Sequence, residues 1–519
     1  QTLHRPINIS RAFNKLFVNV VPHSSSKITR TITHRLVKLS REDVPQISEK
    51  AVCDAIKEAK TSTAMGPDGL SNLHLKHIGP VAITHLTQLY NRSLQTGIIP
   101  QIWKSSLILP LCKPGKDKGL AESYRPISLL SPMAKTMERV LLPTIAHHLQ
   151  PADHQHGFRA NHSTISALAQ LTDAISTGFN QKLPPDRTLA VAVDLSKAFD
   201  TVSHNTLIDD LLLSTLPDGL ARWLATYLRG RQQRVVFRGQ KSNMRIVHRG
   251  VPQGGVLSPC LFNFYISDMP TPPANMHLTS YADDITIYTS GPQVDVLERR
   301  MNGYLPSLAQ YLTKKDLKLS AGKSSVTLFT TQTKQMCYIS NIAIGGESIP
   351  SNKHPKILGV TLDPQLKYHA HSQNVVDKVK SGNNVLKALT GTTWGQHKET
   401  IVNTYKTVGR TRLDYGAPIW APAIAQTNID KLQVAQNTAL RIATGNVKMA
   451  PIPHLHQETK VLPVAQHIDM LASQYLVRSM QPGHPCAALT QATPAPRMKK
   501  DIRDKISRQS DSYSEKSTA

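Results

Sequence analysis

Leu278-Thr279-Ser280-Tyr281-Ala282-Asp283-Asp284-Ile285-Thr286-Ile287-Tyr288 sets β-branched and aromatic residues on both sides of two adjacent acids. The pattern predicts a strand, a tight reversal and a second strand. Two carboxylates at such a tip repel each other unless something positive lies between them. A third acid stands upstream in Ala192-Val193-Asp194-Leu195-Ser196-Lys197-Ala198-Phe199-Asp200, where the apolar run Leu189–Val193 ends. That run reads as a buried strand, and a carboxylate at its end is costly without compensation. Oxygen ligands suit magnesium, and two or three carboxylates can hold a pair of ions roughly 3.5–4 Å apart. An Asp-Asp pair alone more often means a solvated turn. The flanking strands and the third acid point instead to a two-metal phosphoryl-transfer site.

Charge supports a polyanionic partner. The 519 residues carry a formal net charge of +26, and the isoelectric point lies near 9.9. Such a balance fits nucleic acid. Between Gly219 and Ser267 there is no Asp or Glu, while Arg222, Arg229, Arg231, Arg234, Arg238, Lys241, Arg245 and Arg249 all fall inside, interleaved with Trp223, Tyr227 and Phe237. A solvated basic face would look the same; beside the Gln253 segment, a track for a phosphate backbone is the stronger reading. Cysteines 53, 112, 260, 337 and 486 never reach metal-finger spacing and suggest neither a zinc ribbon nor a disulfide framework. No apolar run approaches the roughly 18–20 residues that cross a bilayer, and no signal peptide is visible.

The length predicts about two to four subdomains. Residues 1–40 show no clear pattern and read as a linker from an upstream region; the chain starts with Gln, which suggests a piece of a larger polyprotein. Ser40-Arg41-Glu42-Asp43 carries an N-cap signature ahead of helical spacing at Val52, Ala55, Ile56 and Ala59. Pro184-Pro185 marks a break. A helix is expected after Asp200, with Leu207, Ile208, Leu211 and Leu212 on its apolar face. Residues 346–450 read as mainly helical beyond a Leu358-Gly359 turn, and 451–519 as a short helical stretch followed by a polar, disordered tail from about 491.

An ordered series of motifs resembles the reverse transcriptases of non-LTR retrotransposons. It runs from Ala64-Met65-Gly66-Pro67-Asp68-Gly69 through Trp103-Lys104 and Leu111-Cys112-Lys113-Pro114-Gly115-Lys116-Asp117 to Tyr124-Arg125-Pro126-Ile127-Ser128. His156-Gly157-Phe158-Arg159 with Ser163-Thr164 follows, then the Asp194 segment and Gly250-Val251-Pro252-Gln253-Gly254-Gly255. The Tyr281-Ala282-Asp283-Asp284 hairpin, Leu317–Lys323 and Lys356-Ile357-Leu358-Gly359-Val360 close the series. It covers residues 45–365 well and 366–445 more loosely.

The resemblance implies an α+β, right-hand polymerase: fingers at 41–185, palm at 186–345, a thumb-like helical region at 346–450. It implies an RNA-directed DNA polymerase, a nucleotidyltransferase taking an RNA template, a DNA primer and deoxynucleoside triphosphates, with two Mg2+ (Mn2+ as an alternative). Asp194, Asp283 and the Leu195 carbonyl would hold the ions, with Asp284 a weaker ligand. Asp200 reads as a hydrogen-bonding residue more than a ligand. Phe199 would sit under C2′ and exclude a ribose hydroxyl. Gln253 would lie near the sugar, between glycines that permit close approach. Lys113 and Arg125 would take the triphosphate. Lys323 would protonate pyrophosphate as general acid or, equally, contact the primer. Arg159, Arg229, Arg231 and Arg234 would meet phosphates, and Leu358-Gly359 would grip the primer end. With no signal peptide or membrane span, the expected location is the nucleus and cytoplasm, and the resemblance implies an upstream endonuclease in a larger polyprotein; neither an endonuclease nor a ribonuclease H signature is visible here. A catalytically dead nucleic-acid-binding remnant and an intron-encoded maturase are the alternative readings, and a nuclease or phosphatase is disfavoured by the aromatic gate and the paired cations.

Overall fold

The chain folds into two compact units, the first made of Gln1–Gln155, Leu195–Pro270 and Leu308–Leu319, the second of His156–Asp194, Thr271–Ser307 and Ser320–Ala519. The computed structural model describes residues 5–18, 26–40, 43–181, 184–391 and 394–490. Helix and sheet are mixed in both units, an α+β composition. No helix among the described residues is long and apolar enough to cross a membrane, and all five cysteines are free.

The first unit is built on a five-stranded sheet. Ser105–Cys112 pairs antiparallel with Tyr124–Leu129, from Leu107 opposite Leu129 to Cys112 opposite Tyr124. Its other edge runs parallel to Arg231–Phe237, with Ser105 opposite Gln232. Gln240–Lys241 and Arg245–Val247 both fold back on that strand. Among its helices, Pro132–His148 buries Met137, Leu141 and Ile145, and Asp218–Leu228 buries Trp223, Leu224 and Leu228. Each such side chain contributes about 1.5–3 kcal/mol. The expected helix after Asp200 is His204–Leu212; Leu207, Ile208 and Leu211 are buried and Leu212 half-buried.

Two expectations change near the N-terminus. Residues 1–40, read as a linker, contain helices Pro6–Val18 and Ser26–Lys38. Phe13 of the former is buried against Ile108 and Val235, and Asn14 Nδ2 donates to Ser242 Oγ at 2.9 Å. The helix is stable because a strand more than 200 residues later covers its apolar face. The next helix starts at Glu49, not after Ser40: Ser48 Oγ accepts from the Ala51 N–H at 3.2 Å. Pro45 disfavours helical geometry in the residue before it, and the next good cap is Ser48. Arg41 and Glu42 lie outside the described residues, as does the tail from 491.

The second unit centres on a four-stranded antiparallel sheet in the order Ser325–Phe329, Arg187–Val193, Asp284–Gly291, Met276–Tyr281. Helix Thr164–Phe179, capped reciprocally by Ser163 and Ser166, lays Leu168, Leu171 and Ile175 into one core with Ala190 and Tyr288. The same core continues through Val376 and Leu386 of His369–Ala388, Trp420, and Leu432 and Leu440 of Gln426–Thr444. Residues 346–450 are thus mainly helical, and Ile452–Thr459 and Val464–Ser479 follow. Between Lys356–Ile357 and Val360–Thr361, Leu358 (φ 44°) and Gly359 (φ 85°) form the expected two-residue turn.

Candidate active site

Sheet register gathers the acids of the second unit at one end. Tyr281 pairs with Asp284, leaving Ala282 and Asp283 as the turn. Ala282 is buried with φ 55°, a left-handed conformation that costs a residue with a β-carbon about 1–2 kcal/mol. On the neighbouring strand Val193 pairs with Ile285, so the next register step sets Asp194 beside Asp284. The Asp194 backbone is fixed on both sides: its N–H donates to Ser324 Oγ at 3.1 Å, and its carbonyl accepts from the Ser320 N–H at 3.0 Å. Asp284 reaches solvent at the hairpin tip. Even so, desolvation, and then the charges of Asp283 and Asp194, push its carboxyl up to about 6 from the usual carboxylate range. The three acids therefore lie within electrostatic reach of one another. They do not converge to a closed cage; no group of three or more His, Cys, Asp or Glu side chains with metal-holding geometry occurs among the described residues.

In the first unit, Phe199 stacks on Phe262 with centroids 4.3 Å apart and planes 15° apart. The segment carrying Gln253 is tied to the segment carrying Phe199 at three points. Val251 N–H donates to the Phe199 carbonyl at 2.9 Å and Gly250 N–H to the Val202 carbonyl at 2.8 Å. Gln253 Nε2 donates to Asp200 Oδ1 at 2.9 Å. Asp200 is not a bystander: burial pushes its carboxyl up to about 6, and the Gln253 amide and Lys197 pull the other way. Gly254 is close-packed as expected, though against the protein itself, since a β-carbon there would stand 2.8 Å from the Ser128 carbonyl oxygen. Lys113 follows directly on Cys112, and Arg125 pairs with Leu111. Both cations thus stand at the same end of one antiparallel ladder, Lys113 half-buried and Arg125 exposed.

The family model described as reverse transcriptase (RNA-dependent DNA polymerase) matches residues 113–362. The chain is 30% identical over 450 residues to the probable RNA-directed DNA polymerase from transposon BS of Drosophila melanogaster, covering 83% of this chain and 48% of that protein. It is 25% identical over 477 residues to the RNA-directed DNA polymerase from mobile element jockey of the same species, covering 88% and 51%.

Residues 113–362 carry a reverse transcriptase domain, and the chain is similar over most of its length to reverse transcriptases of non-LTR retrotransposons.

It spans about half the length of the curated relatives it matches. It is also similar to a retrovirus-related Pol polyprotein from the type-1 element R1 of Bradysia coprophila, 22% identical over 396 residues (74% of this chain, 38% of the relative).

A reverse transcriptase implies a divalent cation, and the acids suit one. All donors are carboxylate oxygens; burial first, and then the charges of Asp283 and Asp194, raise the Asp284 carboxyl, and a cation would offset that crowding of negative charge. The basic residues are not equivalent. Arg231 is only 4% exposed; its Nη1 donates to the Tyr227 carbonyl at 3.2 Å and its guanidinium lies 4.9 Å from the Tyr227 ring centroid. A guanidinium so placed braces sheet against helix and does not reach a phosphate at the surface. Arg229 and Arg234 are half-buried; Arg238, Lys241 and Arg245 are exposed. Arg159 follows Phe158, whose backbone is left-handed at φ 55°. Lys323 is exposed, and the Leu358 carbonyl accepts from Tyr415 Oη at 2.8 Å.

Sequence reasoning missed Glu138, His204 and Ser324. Glu138 is buried and accepts the N–H groups of Val256 and Leu257. The signal was an acid on the apolar side of its helix, between Met137 and Leu141. His204 Nε2 meets the Gly250 carbonyl at 2.7 Å, and burial lowers its pKa to about 4, so the neutral ring donates there.

Proposed function

We propose that this chain is an RNA-directed DNA polymerase of a non-LTR retrotransposon, adding deoxynucleotides to a primer 3′-hydroxyl on an RNA template. The observation that carries the reading is the set of Asp194, Asp283 and Asp284 at one sheet end, electrostatically coupled. Right-hand fingers, palm and thumb would correspond to residues 41–185, 186–345 and 346–450.

Asp194 and Asp283, with Asp284 and the Leu195 carbonyl, would hold two Mg2+, or Mn2+ in their place. When bound, the ions favour ionisation of the primer hydroxyl and neutralise charge on pyrophosphate. The primer oxygen attacks the α-phosphorus in line as the bond to pyrophosphate breaks, a reaction that depends on positioning and charge compensation. Lys113 and Arg125 hold the triphosphate, and Lys323 donates a proton to the leaving group. Phe199 closes the space under C2′, so a ribose hydroxyl finds neither room nor partner. Gln253 faces the sugar. Arg159, Arg229 and Arg234 follow template or primer phosphates, Arg231 braces the strand carrying Arg234, and Leu358-Gly359 supports the primer end. The natural setting would be a larger polyprotein with an upstream endonuclease, acting in the nucleus and cytoplasm.

Primer extension tests the reading: purified chain, RNA template annealed to DNA primer, deoxynucleotides, magnesium, and Asp283→Ala alongside. Extension by the parent and not by the variant is expected. Binding by a folded parent without extension would overturn it in favour of a nucleic-acid-binding remnant.

A further inference from the structure

The two ends of a glutamine amide have nearly the same shape and opposite hydrogen-bonding character, so a glutamine that reads a ligand needs its polarity set by a neighbour. At Gln253 that neighbour is an aspartate. We propose that Asp200 is a positioning residue for nucleotide selection: its carboxylate pins Nε2 of Gln253 and turns Oε1 outward to accept a hydrogen bond from a sugar hydroxyl of the incoming nucleotide. The inference rests on the polymerase reading and names a residue that acts on substrate only through Gln253.

The geometry is over-determined. Gln253 Nε2 lies 2.9 Å from Asp200 Oδ1. An ionised carboxylate only accepts hydrogen bonds, so the N–H end of the amide has to face it. The spacing between the two residues is set by backbone. A β-carbon on Gly250 would stand 2.9 Å from the Asp200 Cα and carbonyl oxygen, so glycine permits this approach. Gly250 and Val251 are tied by their N–H groups to Val202 and Phe199, His204 holds the Gly250 carbonyl, and the Gln253 carbonyl accepts from the Ser128 N–H at 3.0 Å. Asp200 and Gln253 also line one polar pocket with Arg231, Arg249, Gln233 and Ser128. That leaves the pair room to meet a ligand or water. The carboxyl is pushed up to about 6 by burial, which leaves it ionised at neutral pH and acceptor-only.

Steady-state kinetics with one deoxynucleotide on a fixed primer–template tests this, using Asp200→Leu, Asp200→Asn, Gln253→Met and both double variants. A hydrogen bond to a charged group commonly sets about a tenfold effect. Asp200→Leu is expected to raise KM about tenfold with kcat within about twofold. Asp200→Asn can accept or donate, so it leaves the amide polarity open and raises KM about two- to fivefold. In the Gln253→Met background neither Asp200 change should add more than about twofold, because the residue acts through the amide. Factors that multiply in the double variants, or a parent-like KM in both Asp200 variants, would overturn the assignment. Should Asp200→Leu not fold, Asp200→Asn and its double variant decide by the same criteria. A parent that extends while the variants act independently removes this inference alone; a parent that extends nothing removes the polymerase reading and this one with it.

Discussion

The Glu138 carboxylate accepts the Val256 N–H at 2.6 Å and the Leu257 N–H at 3.1 Å through the same oxygen, Oε2. Glu138 is 1% exposed and sits on helix Pro132–His148, while its partners lead into helix Ser258–Tyr265. One acid thus fixes the chain just beyond Gln253 and offers negative charge to a helix N-terminus, where the backbone dipole favours it. Removing the acceptor leaves buried N–H groups without a partner, each costing about 1–3 kcal/mol. Glu138→Ala should therefore lower stability by about 3 kcal/mol. Glu138→Gln, which keeps one acceptor oxygen, should lose less than half of that. Denaturant unfolding of the three proteins decides it; equal midpoints would mean the contact is unimportant.

Asp284 predicts a conflict between stability and activity. Its folded carboxyl titrates near 6, above the ordinary value of 3.8. Between those pH values the folded chain binds more protons than the unfolded one. Stability therefore falls as pH rises through the window, and the loss is complete above it. Asp200 acts in the same direction. Asp284→Asn should raise the melting temperature at pH 7.5 by a few degrees, with the difference closing toward pH 4, while primer extension drops. A melting temperature lowered at pH 7.5 would show that the acids do not strain the fold.

Magnesium should reverse the same strain. A ligand that binds only the folded state stabilises it in proportion to the logarithm of its excess over Kd. Millimolar Mg2+ is expected to raise the parent's melting temperature, and chelation to remove the gain. Asp283→Ala should respond to neither. An equal response in parent and variant would place the ion elsewhere.

The sequence was most informative where structure is local. The Asp283-Asp284 hairpin, the Leu207-Ile208-Leu211 face and the Leu358-Gly359 turn each depend on residues within one or two turns of chain, and each forms as the spacing implies. Distant partners were hidden. Helix Pro6–Val18 looked patternless because the cover for Phe13 comes from Ile108 and Val235. Arg231 looked like a surface cation because charge was counted over the whole segment. Burial instead alternates along Arg231–Phe237, with Arg231, Gln233 and Val235 inward, and that period-two pattern is visible in the sequence once the strand is known. The Gln253–Asp200 pair could not be read, since 53 residues separate them.

Phe199 should govern sugar selection. Its ring is held by Phe262, stacked 4.3 Å away, so it presents a fixed wall. Phe199→Ala is expected to raise ribonucleotide incorporation relative to deoxynucleotide by about 100-fold, the scale on which a pocket discriminates one small group. Phe262→Ala should give a smaller rise by letting the wall move. Unchanged discrimination in Phe199→Ala, measured by competitive extension, would remove the gate.

The basic strand region separates two roles that composition merges. Arg231 is buried and bonded to the Tyr227 carbonyl, so Arg231→Met should change unfolding more than binding. Arg238, Lys241 and Arg245 are exposed and close in sequence, on or beside the strands that fold back on Arg231–Phe237. If they meet a nucleic-acid backbone, replacing all three by alanine releases up to three fewer counterions on binding. The slope of log affinity against log salt should then become shallower by about 2–3, with the melting temperature within a few degrees of the parent. Titrating a labelled primer–template at several salt concentrations measures both slopes. An unchanged slope in the triple variant, with weakened binding in Arg231→Met, would reverse the assignment and place the phosphate path on the buried side of the strand.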